Sequence, residues 1–387
     1  MTGRLAQESF ERRLAQALVD ADIAGWGGLT TDMIDVRSST NTEWHKVFFM
    51  SYNAASGLSL RHHRLVVTIP SWRGAALGNK YRAAVHMANT TLGPDVLGPA
   101  DLTLDGAPVH VTEWLPGGEL NASELVESLE ELGTLYARLH GSGHEWFEPS
   151  RAQLCAEGWL VPQERAASWA SCLWILGWLH ALVPPANRSA LEAAGVRWEA
   201  LTAEIENLPN SALLPSSLAT IATVHGDSHM GNVLRDSSGA LRLIDFDMTA
   251  RGPVGSDLGF LALMLFRCGF GATDVVPRAA QRRFAAGYLR ERNGRAAASE
   301  LDPFLLAVHA WSYVGLLKMG LLSAVLMANE GHEQKREIMR ARAPVLLHPA
   351  FLARARAVLS AGLSGNEYHR EAILERGLFH HALDSGQ

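Results

Sequence analysis

Cysteine is scarce: the 387 residues hold three, Cys155, Cys172 and Cys268, an odd number spread far apart. Each lies in an apolar run, the usual surroundings of a buried free thiol. No Cys-x-x-Cys or Cys/His ligand spacing is present, so neither a disulfide framework nor a zinc site is expected. A basic excess is also lacking. The 34 Lys+Arg stand against 40 Asp+Glu, a formal charge of -6, without the cationic surplus that binding a phosphate backbone calls for, so no nucleic acid partner is expected. Uninterrupted apolar runs of membrane length are missing as well. Phe304 to Met327 comes nearest, but His309, Ser312, Tyr313 and Lys318 interrupt it, and hydrocarbon penalises each of them. Ala166 to Val183 contains His180 and stops at Pro184-Pro185. Both read as core helices. Arg4, Glu8, Glu11, Arg12 and Arg13 precede any apolar run, so no secretory signal is expected, and the chain reads as cytoplasmic with no membrane partner.

What is present is ordinary globular material, 48% hydrophobic and 19% charged, which excludes a disordered or fibrous chain. The length suits two domains or one two-lobed unit. Leu5, Phe10, Leu14, Leu18 and Ile23 space out an amphipathic helix over residues 5–23. Strand-like runs follow at Trp44 to Tyr52, Arg64 to Pro70 and Pro108 to Leu115, with a helical stretch, Asn79 to Thr91, between the last two. Pro116-Gly117-Gly118 then breaks the chain. The expected architecture is α+β, with a small, mostly antiparallel lobe over residues 1–115 and a larger helical lobe over 116–387. Asn121 with Glu124 forms a capping box for a helix carrying Leu125, Leu129, Leu132, Tyr136 and Leu139, with Gly141 placed to end it. Further helices are expected near 166–183, 186–207, 255–268, 276–291, 302–329 and 347–361.

One segment breaks this helical texture. Val224-His225-Gly226-Asp227-Ser228-His229-Met230-Gly231-Asn232-Val233-Leu234 runs into Leu241-Arg242-Leu243-Ile244-Asp245-Phe246-Asp247. The Ser237-Ser238-Gly239 turn between them folds Val233–Leu234 and Leu241–Ile244 into a hairpin, bringing Asn232 and Asp245 to one edge with Asp227 nearby. An amide and a carboxylate are hard oxygen ligands suited to Mg²⁺, which keeps some waters and binds substrate phosphates. A separate carboxylate, Asp227, can orient and deprotonate a hydroxyl.

His-Gly-Asp-x-His-x-x-Asn followed by Ile-Asp-Phe-Asp resembles the catalytic core of the aminoglycoside phosphotransferase and choline kinase superfamily, which implies a two-lobed protein-kinase-like fold. The resemblance extends outward. Ser38-Ser39-Thr40-Asn41 resembles the loop over the nucleotide phosphates, Val111 to Gly117 the hinge strand that meets the adenine, and Leu132 to His140 the first helix of the large lobe. Gly252-Pro253-Val254-Gly255-Ser256-Asp257-Leu258 resembles the element after the metal loop. Carried over residue by residue, the resemblance implies that Asp227 is the catalytic base and that Asn232 and Asp245 are Mg²⁺ ligands. Ser39, Thr40, Asn41, Glu113 and Trp114 would then contact ATP. Asp257 would hold the catalytic loop, and His225 would support it by hydrogen bonding. The implied reaction is ATP- and Mg²⁺-dependent phosphorylation of a small-molecule hydroxyl, the acceptor being an antibiotic, an amino alcohol or a sugar-like metabolite.

The departure lies in the strand Leu65 to Pro70, where Thr68 stands at the place of the usual phosphate-binding Lys or Arg. The helix that normally supplies the partner Glu reads Gly78-Asn79-Lys80-Tyr81-Arg82-Ala83-Ala84 and has no acid. Lys80 is the preferred replacement cation, with Lys46, Arg73 and Arg82 as alternatives. A non-catalytic kinase-like binding protein, or a kinase acting on a peptide Ser/Thr, are the competing readings. The five tryptophans at 146, 159, 169, 174 and 178 suggest either a cage for a quaternary ammonium or a helical core.

Overall fold

Phe48, Met50 and Tyr52 alternate with half-buried or exposed neighbours, as do Leu65, Val67 and Ile69. This period of two commits one face of a sheet to a core. The computed structural model describes residues 2–38, 45–52, 62–70, 76–118, 120–143, 145, 170–269, 274–327 and 333–385. Strands β1 (Ile34–Ser38), β2 (His45–Tyr52) and β3 (Arg64–Pro70) are joined at one sheet edge by a later strand. Two short strands, β4 (Thr103–Leu104) and β5 (Ala107–Pro108), pair with each other, and β6 (His110–Glu113) completes the order β1-β2-β3-β6, antiparallel throughout. The helix Thr2–Asp20 lays Leu14 and Leu18 on the buried face, where Trp26 and Ile23 join them.

The chain divides into two compact units, Met1–Gly118 with Leu234–Asp247, and Glu119–Val233 with Met248–Gln387. The expected hairpin is present, β8 (Val233–Arg235) with β9 (Leu241–Leu243). The segment Leu234–Asp247 belongs to the first unit because Leu243 N–H donates to Leu92 O (2.7 Å) and Phe246 fills the space left by Gly93.

The second unit is helical. Asn121 and Glu124 form the anticipated capping box, yet the helix they start is short. Ser128, with ψ near 3°, separates Ala122–Glu127 from Leu129–Gly141, and the left-handed glycine that follows the second helix is Gly143, with φ of 84°, one place beyond Ser142, while Gly141 is the helix's last residue. Leu129–Gly141 and Arg278–Asn293 pack backbone to backbone. Added Cβ atoms at Gly133 and Gly287 would lie 2.1 Å from Phe284 O and Glu130 O. The stretch expected over 186–207 is two helices, Pro185–Ala193 and Trp198–Asn207, divided at Gly195 with φ of 91°. Ala298–Leu326 is long and apolar enough to cross a bilayer, but 94% of its apolar window is buried within the protein, as a core helix requires. The sequence reading passed over the helices Glu333–Leu346 and Glu367–Asp384, and the strand β10 (Ala250–Pro253), which pairs antiparallel with β7 (Ile221–Val224).

Candidate active site

The residues after β7 form a loop tied down from beneath. Gly226 adopts φ of 80°, and a Cβ there would meet Met248 O at 2.1 Å, so only glycine fits. The fixing group is the Asp257 carboxylate at the start of the helix Val254–Met264. Its Oδ2 accepts from His225 N–H (2.8 Å) and its Oδ1 from Gly226 N–H (2.9 Å) and Ser228 Oγ (2.8 Å). His140 Nε2 lies 3.2 Å from Oδ2, and His140 Nδ1 lies 2.9 Å from the Tyr288 hydroxyl. The side chains of His140 and Asp257 are fully enclosed. Burial works to raise the Asp257 pKa, but the His140 hydrogen bond, the charges of His140 and His225 and the His225 N–H hold it at about 2.

Asp227 rises from this platform with its side chain 26% exposed. His225 Nδ1 accepts from Asp227 N–H at 3.3 Å. His229 turns its Nδ1 to accept from Gly231 N–H (3.1 Å) and its Nε2 toward Asp227 Oδ2 (3.4 Å). An imidazole accepting at Nδ1 carries its proton at Nε2, so His229 presents a donor to Asp227. Asn232, buried, donates from Nδ2 to Asp227 O at 2.8 Å. That bond fixes the amide's orientation and leaves its Oδ1 as the acceptor atom.

One residue not counted among the sequence candidates meets Asp227. Lys318, from the core helix Ala298–Leu326, has a side chain 7% exposed and an ammonium 3.3 Å from Asp227 Oδ1. It also donates to Gly226 O and stands 3.9 Å from the centre of the Phe260 ring. The signal was visible: a lysine in the middle of an apolar helix is buried only when something pairs it. Burial acts to raise the Asp227 pKa, but the Lys318 ammonium, then His229 and His225, hold the carboxyl well below the usual carboxylate range.

Asp245, Glu113, Trp114 and Lys80 lie in the first unit. Asp245 follows β9 by two positions and takes a left-handed backbone, φ 61°, uncommon for a residue with a side chain. Glu113 ends β6 opposite Leu65, its N–H donating to Asp95 O (3.0 Å) and its carboxylate 4.0 Å from His62 Nδ1. The Trp114 ring meets Phe49 edge-on at 4.7 Å. Lys80 lies in the helix Ala76–Asn89. Ser39, Thr40, Asn41 and Arg73 lie outside the described residues, as do the tryptophans at 146, 159 and 169. Thr68 pairs with Val47 and His110, on the sheet face opposite Val67 and Ile69. Lys46 shares the face of Phe48 and sits over the Phe10 ring at 5.5 Å. Register therefore removes Lys46 as a substitute for the charge absent at Thr68, because the two point to opposite sides of one sheet.

The fold and the loop together define a protein-kinase-like α+β enzyme of two lobes. Residues 56–302 match the model of the phosphotransferase enzyme family, more than half of the chain, and the protein belongs to that family. It is thus a phosphotransferase. Among solved structures it resembles a choline kinase from Cryptosporidium parvum Iowa II, with TM-score 0.62, 14% identity, and 86% of this chain and 93% of that chain covered. An ethanolamine kinase from Plasmodium vivax gives TM-score 0.61, 11% identity and 84% coverage of each chain. An amicoumacin kinase in complex with AMP-PNP, Ca²⁺ and Ami gives 0.52, 14% identity, and 82% and 88% coverage. At these identities the likeness is one of fold. No curated protein sequence matches the chain.

Proposed function

We propose that this protein transfers the γ-phosphoryl group of ATP, with Mg²⁺, to a hydroxyl of a small molecule, and that Asp227 receives the hydroxyl proton. The carrying observation is the Asp227 carboxylate itself, partly exposed, ionised and seated on a loop pinned by three of its own donors to Asp257. The acceptor O–H donates to Asp227, its oxygen forms a bond to the γ-phosphorus, and the bond to the β,γ-bridging oxygen breaks to release ADP. A carboxylate of low basicity suits a loose transition state, in which the proton leaves late and positioning outweighs proton abstraction.

The family and the AMP-PNP-bound relative support ATP as donor. For Mg²⁺ the donor chemistry fits: Asn232 keeps its Oδ1 available because its Nδ2 is engaged, and Asp245 adds a carboxylate. Mg²⁺ bound by these residues would neutralise phosphate charge as it develops. Ser39, Thr40 and Asn41 are assigned to the phosphates, Glu113 and Trp114 to the adenine, and Lys80 to the charge that Thr68 cannot supply. These assignments make residues 1–115 the nucleotide-binding lobe and 116–387 the catalytic and acceptor-binding lobe.

Screening hydroxyl compounds for ATP consumption identifies the acceptor, and Asp227→Asn is then assayed with it. Positioned proton transfer contributes about 10²- to 10⁴-fold, so kcat should fall by that factor with nucleotide affinity nearly unchanged. A loss below about tenfold removes Asp227 from the role.

A further inference from the structure

Lys318 has no evident reason to be a lysine on grounds of stability. Its helix is otherwise apolar here, with Leu316, Leu317, Met319 and Leu321 all buried. A methionine would fill the same space without desolvating a charge, and buried ion pairs are often no more stabilising than the apolar side chains that could replace them. Its three donor directions are nonetheless all committed. One goes to Gly226 O, one to Asp227 Oδ1 at 3.3 Å, and the ring face of Phe260 receives the ammonium at 3.9 Å. An ammonium held on three sides is a fixture. It grips the peptide immediately before Asp227 and one oxygen of its carboxylate, from a helix 91 residues away in sequence.

The two carboxylate oxygens are therefore unequal. Oδ1 is committed to a buried cation, whereas among the described residues Oδ2 has only the longer 3.4 Å approach of His229 Nε2. We propose that Lys318 is the positioning residue of Asp227, clamping Gly226 O and Asp227 Oδ1 so that Oδ2 is the oxygen presented to the acceptor hydroxyl. The inference rests on the reading of Asp227 as the proton acceptor. Lys318 acts through Asp227: without the ammonium the carboxylate rotates and shares its time between orientations, most of them unproductive. Misplacement of this kind lowers the rate of the chemical step while leaving substrate affinity largely alone.

The test is a double-mutant cycle on the full chain, with water as the acceptor probe and Mg·ATP hydrolysis as the reaction. The water oxygen bonds to the γ-phosphorus, ADP leaves with the bridging oxygen, and the water proton passes through Asp227 to solvent. Lys318→Met should lower kcat at least tenfold, hold KM for ATP within about threefold, and leave thermal stability equal or higher. Asp227→Asn with Lys318→Met should be no slower than Asp227→Asn alone, within about threefold, since a clamp has nothing left to position. Lys318→Gln, which keeps an uncharged donor one bond shorter in reach, should fall between parent and Lys318→Met, and it carries the cycle if Lys318→Met does not fold. A parent-like kcat with only a change in thermal stability would reduce Lys318 to a packing residue and overturn the proposal. Losses that multiply in the double variant would overturn it differently, making Lys318 a group that contacts the phosphoryl itself. If Asp227→Asn alone hydrolyses ATP like the parent, the failure belongs to the reading of Asp227, which the single variant identifies by itself.

Discussion

Replacing Asp257 with asparagine changes neither shape nor volume, so the cost comes from hydrogen bonding alone. The carboxylate takes two backbone N–H groups, a hydroxyl and an imidazole, all within 3.2 Å. A carboxamide has one oxygen. If that oxygen sits at the Oδ1 position it serves Gly226 and Ser228, and the NH₂ confronts the His225 N–H. If it sits at Oδ2 it serves His225 and His140, and the NH₂ confronts the Gly226 N–H. Ser228 can rotate its hydroxyl and His140 can change tautomer, but a backbone N–H cannot become an acceptor. One buried donor is orphaned in either orientation, at about 1–3 kcal/mol, and the surviving bonds lose their charge assistance. The expected destabilisation is about 2–4 kcal/mol for Asp257→Asn and more for Asp257→Ala, which strands all four donors. Urea unfolding followed by tryptophan fluorescence reads it as a lower midpoint at constant slope. The native pKa of about 2 lies below the unfolded value of about 4. As pH falls, the unfolded chain is protonated first, so this stabilisation, about 2 kcal/mol, is complete above about pH 4 and disappears by about pH 2. Asp257→Asn should lack that part of the acid dependence. An unfolding free energy within about 0.5 kcal/mol of the parent, with the same acid profile, would refute the reasoning.

Isothermal calorimetry should find that Asp245→Ala loses the Mg²⁺ dependence of ATP binding; equal affinity for Mg·ATP in parent and variant removes Asp245 as a ligand. Lys80→Ala should weaken ATP binding or turnover at least tenfold, about 1.4 kcal/mol, and adding Thr68→Lys to it should recover part of the loss. If Lys80→Ala behaves like the parent while Arg73→Ala fails, the cation is Arg73. Gly259→Ala would set a Cβ 2.3 Å from the Trp311 carbonyl, between two helices whose backbones touch. Overpacking of that severity should cost about 3 kcal/mol or more, seen as a drop in thermal midpoint of several degrees, and an unchanged midpoint would mean the helices can separate freely.

Features legible in the sequence were those set by neighbours in the chain. The strand-like runs Trp44 to Tyr52 and Arg64 to Pro70 announced two strands. Asn121 and Glu124 announced a cap, and the Ser237-Ser238-Gly239 turn announced the hairpin between Asn232 and Asp245. Each is a local rule of period, cap or turn that needs nothing distant. Elements that break their own local rules went unseen. Pro344 lies inside the helix Glu333–Leu346, and Gly377, with φ of 79°, lies inside Glu367–Asp384. Ala250-Arg251-Gly252-Pro253 becomes a strand only because β7 lies beside it.

The residues His225 to Asn232 were enough to name the loop and its carboxylate, because that chemistry is written in one contiguous segment. Only tertiary structure decided what holds the carboxylate. Asp257 and Lys318 reach the loop from two different helices, and His140 and Tyr288 back Asp257 from two more. The resemblance anticipated only Asp257 in a holding role. Tertiary structure also set Lys46 and Thr68 on opposite faces of one sheet, a matter of pairing register between strands. Burial and register depend on which distant segments share a core, so the same lysine reads as an interruption of an apolar run in one dimension and as the partner of Asp227 in three.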